Sequence, residues 1–249
     1  MRFEDKVVIV TGAGQGIGEG YARQLAREGA SVVVAELNES RGQAVVDSIG
    51  SEGGEALFVK TDVSSQESTR SMAAEVKEKY GALHGLVNNA AIYADMEQYP
   101  LSKVPIEYFN RFMGVNLNGA LLCTQACYKL MEQSGGGSIV NQSSAAAYMG
   151  GGYYGIAKLG VHAMTHTFAR ELGKKKIRVN GIAPGTTKTE ATDKQVPAHL
   201  RNMMLMMVPL GREAEVSEMV SACLFLLSDE ASFVTGQILN VDGGQVFKP

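Results

Sequence analysis

The sequence predicts an α/β fold with a doubly wound, parallel, seven-stranded sheet and helices on both faces. Short runs rich in β-branched residues alternate with longer segments of helical periodicity, as expected for parallel strands joined by helices. The runs VVIV and VVVA are apolar throughout, which is typical of strands buried on both faces. No linker divides the 249 residues, so we expect one domain over 1–249.

The predicted strands follow one another along the chain. They are KVVIV, SVVVAE, EALFVK, LHGLVNN, GSIVNQS, IRVNGIAP and QILNVDGG. Helical segments separate them, but residues 186–209 fit neither a strand nor a simple connector and contain four methionines. Because parallel sheets of this type bind ligands beyond the carboxyl ends of their strands, the functional residues should cluster at those ends.

Composition excludes several classes of function. The net charge of -3 is spread over mixed acidic and basic residues, so nucleic acid is not an expected partner. No apolar stretch approaches the roughly 18 residues that cross a bilayer, and no secretory signal opens the chain, so we expect a cytoplasmic protein without a membrane partner. Cys123, Cys127 and Cys223 should be core residues. His162 and His166 lack the further ligands of a metal site, so no metal is predicted and they should serve packing or an interface.

A glycine-rich turn, TGAGQGIG, follows the first strand and precedes an amphipathic helix. Gly12, Gly16 and Gly18 would allow a tight turn and close approach of the backbone to a pyrophosphate, while the helix N-terminus favours the anion. An ordinary glycine turn is the alternative. The position directly after the first strand favours a Rossmann-type dinucleotide site, with Gln15 and Ile17 in the same turn.

The second predicted strand ends in Glu36, 18 residues beyond Gly18. A carboxylate there would accept hydrogen bonds from the adenosine ribose and repel a 2′-phosphate. Leu37 and Asn38 follow, and the glycine turn has Gln15 where a basic residue could have met that phosphate. The pattern favours NAD over NADP, the alternative being a solvated glutamate at a strand end.

Further candidates lie at the ends of the third and fourth strands. We interpret these as ending in Asp62 and Val63 and in the stretch NNAA, which includes Asn89 and Ala90. These residues fall on the sheet edge that carries the glycine turn, where an adenine ring and a nicotinamide ribose would lie. Taken alone, they would equally suit helix caps or turns.

Tyr154 and Lys158 are four residues apart in a helical segment and therefore share one helix face. A protonated lysine near a phenol favours the phenolate, which would let tyrosine exchange protons near neutral pH. Tyr153 competes for this role, but the residue four positions after it is Ala157. A packed tyrosine beside a solvated lysine would by itself be the commoner explanation, and the glycine turn and nearby serines argue against it.

Several motifs in order resemble the classical short-chain dehydrogenase/reductase family over about residues 6–244. They are TGAGQGIG, Asp62, NNAA, Asn116 in MGVNLNGA, Ser144, YGIAK at 154–158 and PGTTKT at 184–189. The resemblance implies that Tyr154 is the general acid/base and that Lys158 binds the nicotinamide ribose and lowers the tyrosine pKa. It implies that Ser144 hydrogen-bonds the reacting oxygen and that Asn116 holds a water linking Lys158 to solvent.

The same resemblance gives the PGTTKT segment a role in cofactor binding. It implies that the backbone of Thr187 and the hydroxyl of Thr189 meet the nicotinamide carboxamide, with Pro184 and Gly185 beside them. It also implies a homotetramer, assembled through the helices flanking Ser144 and through the C-terminal segment.

The sequence departs from the family pattern at two places. Ala91 replaces the usual glycine after NNA, and Ser144 precedes Tyr154 by only ten residues, a shorter spacing than most members have. The short loop should open or reshape one wall of the substrate pocket. It also leaves open whether Ser143 or Ser144 faces the substrate, and we favour Ser144 because it aligns better with the strand end.

These features predict an NAD-dependent oxidoreductase that interconverts a secondary alcohol or cyclic diol and its ketone. Tyr93, Tyr148 and Met149 near the predicted pocket favour a hydrophobic cyclic or aromatic substrate. Residues 186–209 would form a substrate lid, although their methionines would equally suit packing on the core or a neighbouring subunit. The alternatives are an NADPH-dependent carbonyl reductase and a non-catalytic dinucleotide sensor or scaffold.

Overall fold

Seven parallel strands form a single sheet in the computed structural model, which describes residues 1–247. Residues 248 and 249 of the predicted domain lie outside this range. The spatial order is β3-β2-β1-β4-β5-β6-β7. The strands are β1 (Val7–Thr11), β2 (Ser31–Glu36), β3 (Glu55–Lys60), β4 (Gly85–Asn88), β5 (Gly137–Gln142), β6 (Ile177–Pro184) and β7 (Ile238–Val241).

Helices connect the strands and cover both faces of the sheet. They are α1 (Gly16–Arg27), α2 (Glu39–Ser51), α3 (Gln66–Tyr80), α4 (Ile106–Met113), α5 (Gly119–Gln133), α6 (Gly152–Leu172), α7 (Glu190–Gln195), α8 (Ala198–Leu205) and α9 (Val216–Leu227). A π-helical turn, Gly114–Asn118, joins α4 to α5. The predicted doubly wound Rossmann-type domain is confirmed.

Alternate residues of β1 point into two separate cores. Val8 and Val10 pack with α1, α2 and α9, while Val7 and Ile9 pack with α3, α5 and α6. Full burial on both faces explains why β1 is apolar at consecutive positions. The three cysteines are buried, two in the second core and one in the first, which confirms their predicted place.

The strand order creates the crevice in which the candidate site lies. β1 pairs with β2 on one side and with β4 on the other. The strands up to β3 therefore extend the sheet towards one edge, and the strands from β4 onwards extend it towards the opposite edge. Ligands of doubly wound sheets bind at such a switch point, beyond the strand ends. The third strand ends at Lys60, as the run EALFVK predicts, and Asp62 and Val63 lie beyond it in the turn that leads into α3.

None of the helices within residues 1–247 is long and apolar enough to span a membrane.

Candidate active site

The glycine turn between β1 and α1 is closely packed against the end of β4. Gly12 and Gly16 have φ of +63° and +58°, values that favour glycine. A Cβ on Gly18 would lie 2.2 Å from the Gly12 carbonyl oxygen and 2.5 Å from Asn89 Nδ2. No side chain among the described residues caps the N-terminus at Gln15, so the first amide groups of α1 remain available to an anion. The turn has the space and the donors that a pyrophosphate needs.

Glu36 lies against this turn, as its position in the sequence predicts. Its carboxylate accepts one hydrogen bond from the Gly14 amide and one from the Asn38 amide, each 3.0 Å long. Arg41 also lies against the turn, because a Cβ on Gly14 would be 3.0 Å from the Arg41 Cβ. Arg41 is not among the predicted site residues, because it lies beyond the two residues that follow Glu36 in the sequence. The first turn of α2 brings the arginine back to the strand end.

Asn89 and Ala90 fasten the end of β4 to the glycine turn. Asn89 Nδ2 donates to the carbonyl groups of Thr11 and Gly12 at 2.9 and 3.0 Å. The Ala90 amide donates to Thr11 Oγ1 at 3.1 Å. These contacts hold in place the region in which the sequence predicts the nicotinamide ribose.

Asp62 and Val63 line the neighbouring turn. The Asp62 carboxylate accepts hydrogen bonds from the amide and the hydroxyl of Ser64, at 2.9 and 2.6 Å. Val63 is buried, and a Cβ on Gly119 of α5 would lie 2.8 Å from one of its methyl groups. Both residues therefore have local structural roles at the place predicted for cofactor contacts.

Ser144 and Ser143 have different partners. The Ser144 hydroxyl lies close enough to the Tyr154 phenol to lower its pKa, and it accepts a hydrogen bond from the Ala146 amide at 3.2 Å. Ser143 is buried, donates to the Lys158 carbonyl oxygen at 3.2 Å and lies 2.5 Å from His162 Nε2. The structure thus brings Ser144, and not Ser143, to Tyr154.

The two histidines differ in their surroundings. His162 is buried and packs against the ring of Tyr148 with 4.9 Å between centroids, whereas His166 is exposed. No group of three metal-binding side chains occurs within residues 1–247. The ring of Tyr148 thus packs on His162, while Met149 is exposed.

Tyr153 belongs to an aromatic cluster under the site. Its ring packs edge-on against Phe112 and Tyr108, with centroid distances of 4.8 and 5.9 Å. Its hydroxyl donates to the Glu97 carbonyl oxygen. Burial raises the Tyr153 pKa to about 12. The neighbouring tyrosine is thus a packed residue, and only Tyr154 contacts the serine.

Burial dominates the ionisation of Tyr154. It raises the pKa of the phenol well above its usual value, the Tyr93 phenol raises it further, and the hydrogen bond from Ser144 opposes both. Lys158 Nζ lies 5.8 Å from the Tyr154 ring centroid, and burial lowers the lysine pKa to about 8. Burial therefore favours the protonated phenol, and the lowering of its pKa by Lys158 that the family resemblance implies stays a prediction.

Lys158 and Asn116 line a small internal cavity of about 10 Å³, on the scale of one water molecule. Lys158 Nζ donates to the Gln142 carbonyl oxygen at 2.9 Å. Asn116 lies in the π-helical turn, and its Nδ2 donates to the Phe112 carbonyl oxygen at 3.1 Å. Its buried Oδ1 has no hydrogen-bond partner within the described residues. An acceptor is therefore available beside the cavity.

The segment after β6 places hydroxyl groups beside the crevice. Pro184 is the last residue of β6, Gly185 hydrogen-bonds to β7, and Thr187 is buried. Thr189 caps α7, since its Oγ1 accepts from the Thr192 amide at 3.1 Å and lies 3.0 Å from Thr192 Oγ1. Thr192 is a residue that the sequence analysis missed.

Residues 186–209 contain α7 and α8 and contact the loop that follows β4. Lys194 of α7 forms an ion pair with Asp95. The Tyr93 ring in the same loop lies 5.6 Å from the Tyr154 ring. Three of the four methionines are exposed, which excludes packing on the core of this chain as their role. They are Met203, Met206 and Met207.

Comparisons with known proteins agree with this geometry. The model of a family described as enoyl-(acyl carrier protein) reductase matches residues 12–245. The chain belongs to the classical short-chain dehydrogenase/reductase family. It is an oxidoreductase of this family, whose members bind a nicotinamide dinucleotide.

Members of the short-chain dehydrogenase/reductase family match the chain over nearly its full length. An uncharacterized oxidoreductase of Mycobacterium tuberculosis is 51% identical over 246 residues, which are 99% of each chain. A 2,5-dichloro-2,5-cyclohexadiene-1,4-diol dehydrogenase of Sphingobium indicum is 38% identical over 96% of each chain. The solved structure of a 7α-hydroxysteroid dehydrogenase, complexed with NADH and 7-oxo glycochenodeoxycholic acid, superimposes with a TM-score of 0.92 at 35% identity. The match covers 99% of this chain and 96% of that one.

Proposed function

We propose that the protein is an NAD-dependent oxidoreductase that interconverts a secondary alcohol or cyclic diol and its ketone. The observation that carries this proposal is the contact between the Tyr154 phenol and the Ser144 hydroxyl, with the buried Lys158 on the same helix face. This arrangement places a proton donor and a second hydroxyl where they can bind one substrate oxygen.

The crevice fits a dinucleotide, because a Cβ on Gly12 or Gly18 would lie 2.7 or 2.2 Å from backbone atoms and the helix N-terminus is uncapped within the described residues. We assign cofactor contacts to Gly12, Gln15, Gly16, Ile17, Gly18, Glu36, Asp62, Val63, Asn89, Ala90, Tyr154, Lys158, Pro184, Gly185, Thr187 and Thr189. The bound nicotinamide would supply or accept the hydride.

The protein's own residues manage the proton. Tyr154 donates its proton to the carbonyl oxygen during reduction and removes the hydroxyl proton during oxidation, while Ser144 orients that oxygen. Lys158 binds the nicotinamide ribose and carries positive charge near the phenol, which lowers the barrier to phenolate formation. The cavity between Lys158 and Asn116 has room for a water that connects the lysine to the unpartnered Oδ1.

Glu36 supports NAD, because its carboxylate would repel a 2′-phosphate at the adenosine end. Arg41 supports the alternative, an NADPH-dependent carbonyl reductase, since it lies beside the same turn. Titrating the protein with NADH and NADPH tests the choice. We expect tighter NADH binding, and Glu36→Gln should shift the preference towards NADPH, whereas Glu36→Gln with Arg41→Gln should not. Tighter NADPH binding by the unmodified protein would favour the reductase.

Two named relatives support a cyclic substrate. One acts on a cyclohexadiene diol, and the other is a hydroxysteroid dehydrogenase complexed with an oxo-steroid. The Tyr93 ring facing Tyr154 gives the pocket an apolar wall, and residues 186–209 act as the lid over it. The exposed methionines of this segment offer a flexible apolar surface.

The decisive experiment follows NADH formation with cyclohexanol, cyclic diols, aromatic secondary alcohols and hydroxysteroids. We expect turnover of at least one class, lost in Tyr154→Phe and retained in the matched variant Tyr153→Phe. Absence of turnover with both NAD and NADP across the panel would favour the non-catalytic sensor. Unchanged turnover in Tyr154→Phe would overturn the mechanism.

We also propose a homotetramer. Ile156 and Leu159 on α6 and Phe233 and Leu239 near β7 are exposed apolar residues in the two segments that the family resemblance assigns to assembly. Sedimentation equilibrium should give four times the monomer mass for the unmodified protein and a lower mass for Leu159→Lys.

A further inference from the structure

Tyr93 stands opposite Tyr154 in the substrate half of the crevice. Their ring centroids are 5.6 Å apart, with the planes tilted by 44°. Burial raises the Tyr93 pKa, against smaller lowering effects from Thr192 and from Arg201. Tyr93 is therefore a neutral phenol with a proton to donate.

A chain of hydroxyl groups runs from Tyr93 to the predicted cofactor contact Thr189. The Thr192 hydroxyl lies close enough to the Tyr93 phenol to lower its pKa, and Thr192 Oγ1 lies 3.0 Å from Thr189 Oγ1. Thr192 is buried, at 5% exposure, so its hydroxyl has these two neighbours in place of bulk water. The chain connects the lid helix α7 with the wall that faces Tyr154.

One arrangement of the hydroxyl protons uses every donor of this chain. Thr189 Oγ1 accepts the Thr192 amide, and in this arrangement its own proton goes to the Thr192 hydroxyl. The contact with Thr192 lowers the Tyr93 pKa, as donation from Thr192 to the phenol oxygen does. In this arrangement the Thr189 and Thr192 protons are used inside the chain, and the Tyr93 proton is left to point outwards.

We propose that Tyr93 donates a hydrogen bond to a second oxygen atom of the substrate, so that the protein selects cyclic diols and hydroxyketones over matched mono-alcohols. This inference rests on the proposed function and names the substrate class for that site. Thr192 acts as a positioning residue, since it orients the phenol and touches no reacting atom.

The test measures kcat/KM for cyclohexanol and for the 1,2-, 1,3- and 1,4-cyclohexanediols in both configurations. We expect the unmodified protein to prefer at least one diol. Tyr93→Phe keeps the ring but removes the donor, so the ratio of diol to mono-alcohol kcat/KM should fall by about tenfold. Tyr128→Phe is the matched control on the far helix α5 and should leave the ratio unchanged.

Thr192→Val and Thr192→Ser separate positioning from packing. Valine preserves the shape without the hydroxyl and should lower the selectivity ratio, whereas serine preserves the hydroxyl and should restore it. Thr167→Val, at an exposed site on α6, is the control. Fluorescence titration with NADH and the thermal unfolding midpoint report whether each variant folds and binds the dinucleotide.

The outcomes separate the two proposals. Absence of turnover on every alcohol by the unmodified protein would overturn the proposed function, and this inference with it. Two outcomes would overturn the inference alone. In one, Tyr93→Phe loses activity equally on mono-alcohols and diols; in the other, the unmodified protein turns over alcohols but prefers no diol. A selective loss on diols, restored in Thr192→Ser relative to Thr192→Val, supports it.

Discussion

The cofactor half and the substrate half of the crevice are built in different ways. In the cofactor half, Gly12 and Asn89 are fixed by backbone hydrogen bonds and close contacts at the ends of buried strands. In the proposed substrate half, the loop after β4 and the proposed lid, residues 186–209, meet through side chains, including the exposed ion pair between Lys194 and Asp95. The first half therefore depends on the sheet, whereas the second can change without disturbing it.

Replacing Tyr154 should produce the largest effect on the substrate half. Tyr154→Phe removes the proton donor and should lower kcat/KM by about a thousandfold while leaving the fold intact. Tyr153→Phe loses one hydrogen bond in the aromatic cluster and should cost about 1 kcal/mol of stability with activity close to that of the unmodified protein. Steady-state kinetics and urea unfolding of both variants test this difference between Tyr154 and Tyr153. Equal activities of the two variants would contradict it.

Lys158 lies where the two halves meet, and its buried charge makes stability depend on pH. Its pKa falls from 10.5 to about 8 on folding, so the unfolded chain binds more protons between these values. Stability should therefore be greatest above the unfolded pKa and fall as pH decreases to 8, with a total cost of roughly 3 kcal/mol.

Unfolding free energies of the unmodified protein and Lys158→Met at pH 7 and pH 10 measure this cost. The stability of the unmodified protein relative to Lys158→Met should rise with pH. If the difference in unfolding free energy between the two proteins did not change with pH, burial of the Lys158 charge would have no such cost.

A Cβ in the glycine turn should damage the cofactor half alone. Gly18→Ala places a methyl group against the Gly12 carbonyl oxygen and should weaken NADH binding by at least about tenfold, because the turn must open. Gly50→Ala in α2 meets no atom within 4 Å and should stabilise the protein by up to about 1 kcal/mol. Fluorescence titration of NADH distinguishes them. Equal affinities would contradict the tight packing of the turn.

The smallest effect is expected at the ion pair between the lid and the β4 loop. Lys194→Gln breaks an exposed, solvent-screened contact, so KM for the alcohol should rise by no more than about fivefold with kcat little changed. Lys175→Gln breaks a similar pair with Glu132, far from the lid, and serves as control. A large fall in kcat would mean that the proposed lid affects the catalytic step as well as closure of the pocket.

The sequence predicts the cofactor half well because strands and glycines constrain it. All seven strands, the turn at Gly12 and the position of Glu36 follow from local patterns. Arg41 and Thr192 escaped prediction, since each reaches the crevice through the geometry of a helix turn or a contact between distant segments.

The ionisation of Tyr154 could not be predicted from its spacing to Lys158. Four residues of separation place the two side chains on one helix face, but the degree of burial is set by the whole domain. Burial is the largest cause of the raised Tyr154 pKa. Likewise, only the structure shows that Ser143 turns towards His162 and leaves Ser144 to contact Tyr154.

The short connection between Ser144 and Tyr154 has an evolutionary consequence. It contains a 3₁₀ turn, Ala145–Ala147, and two glycines with a left-handed backbone conformation, Gly150 and Gly152. Its two ends are anchored to β5 and to α6. Insertions between these anchors would alter the pocket and leave the serine and the tyrosine in place. Changes in loop length can therefore produce new substrate specificities without altering the catalytic residues.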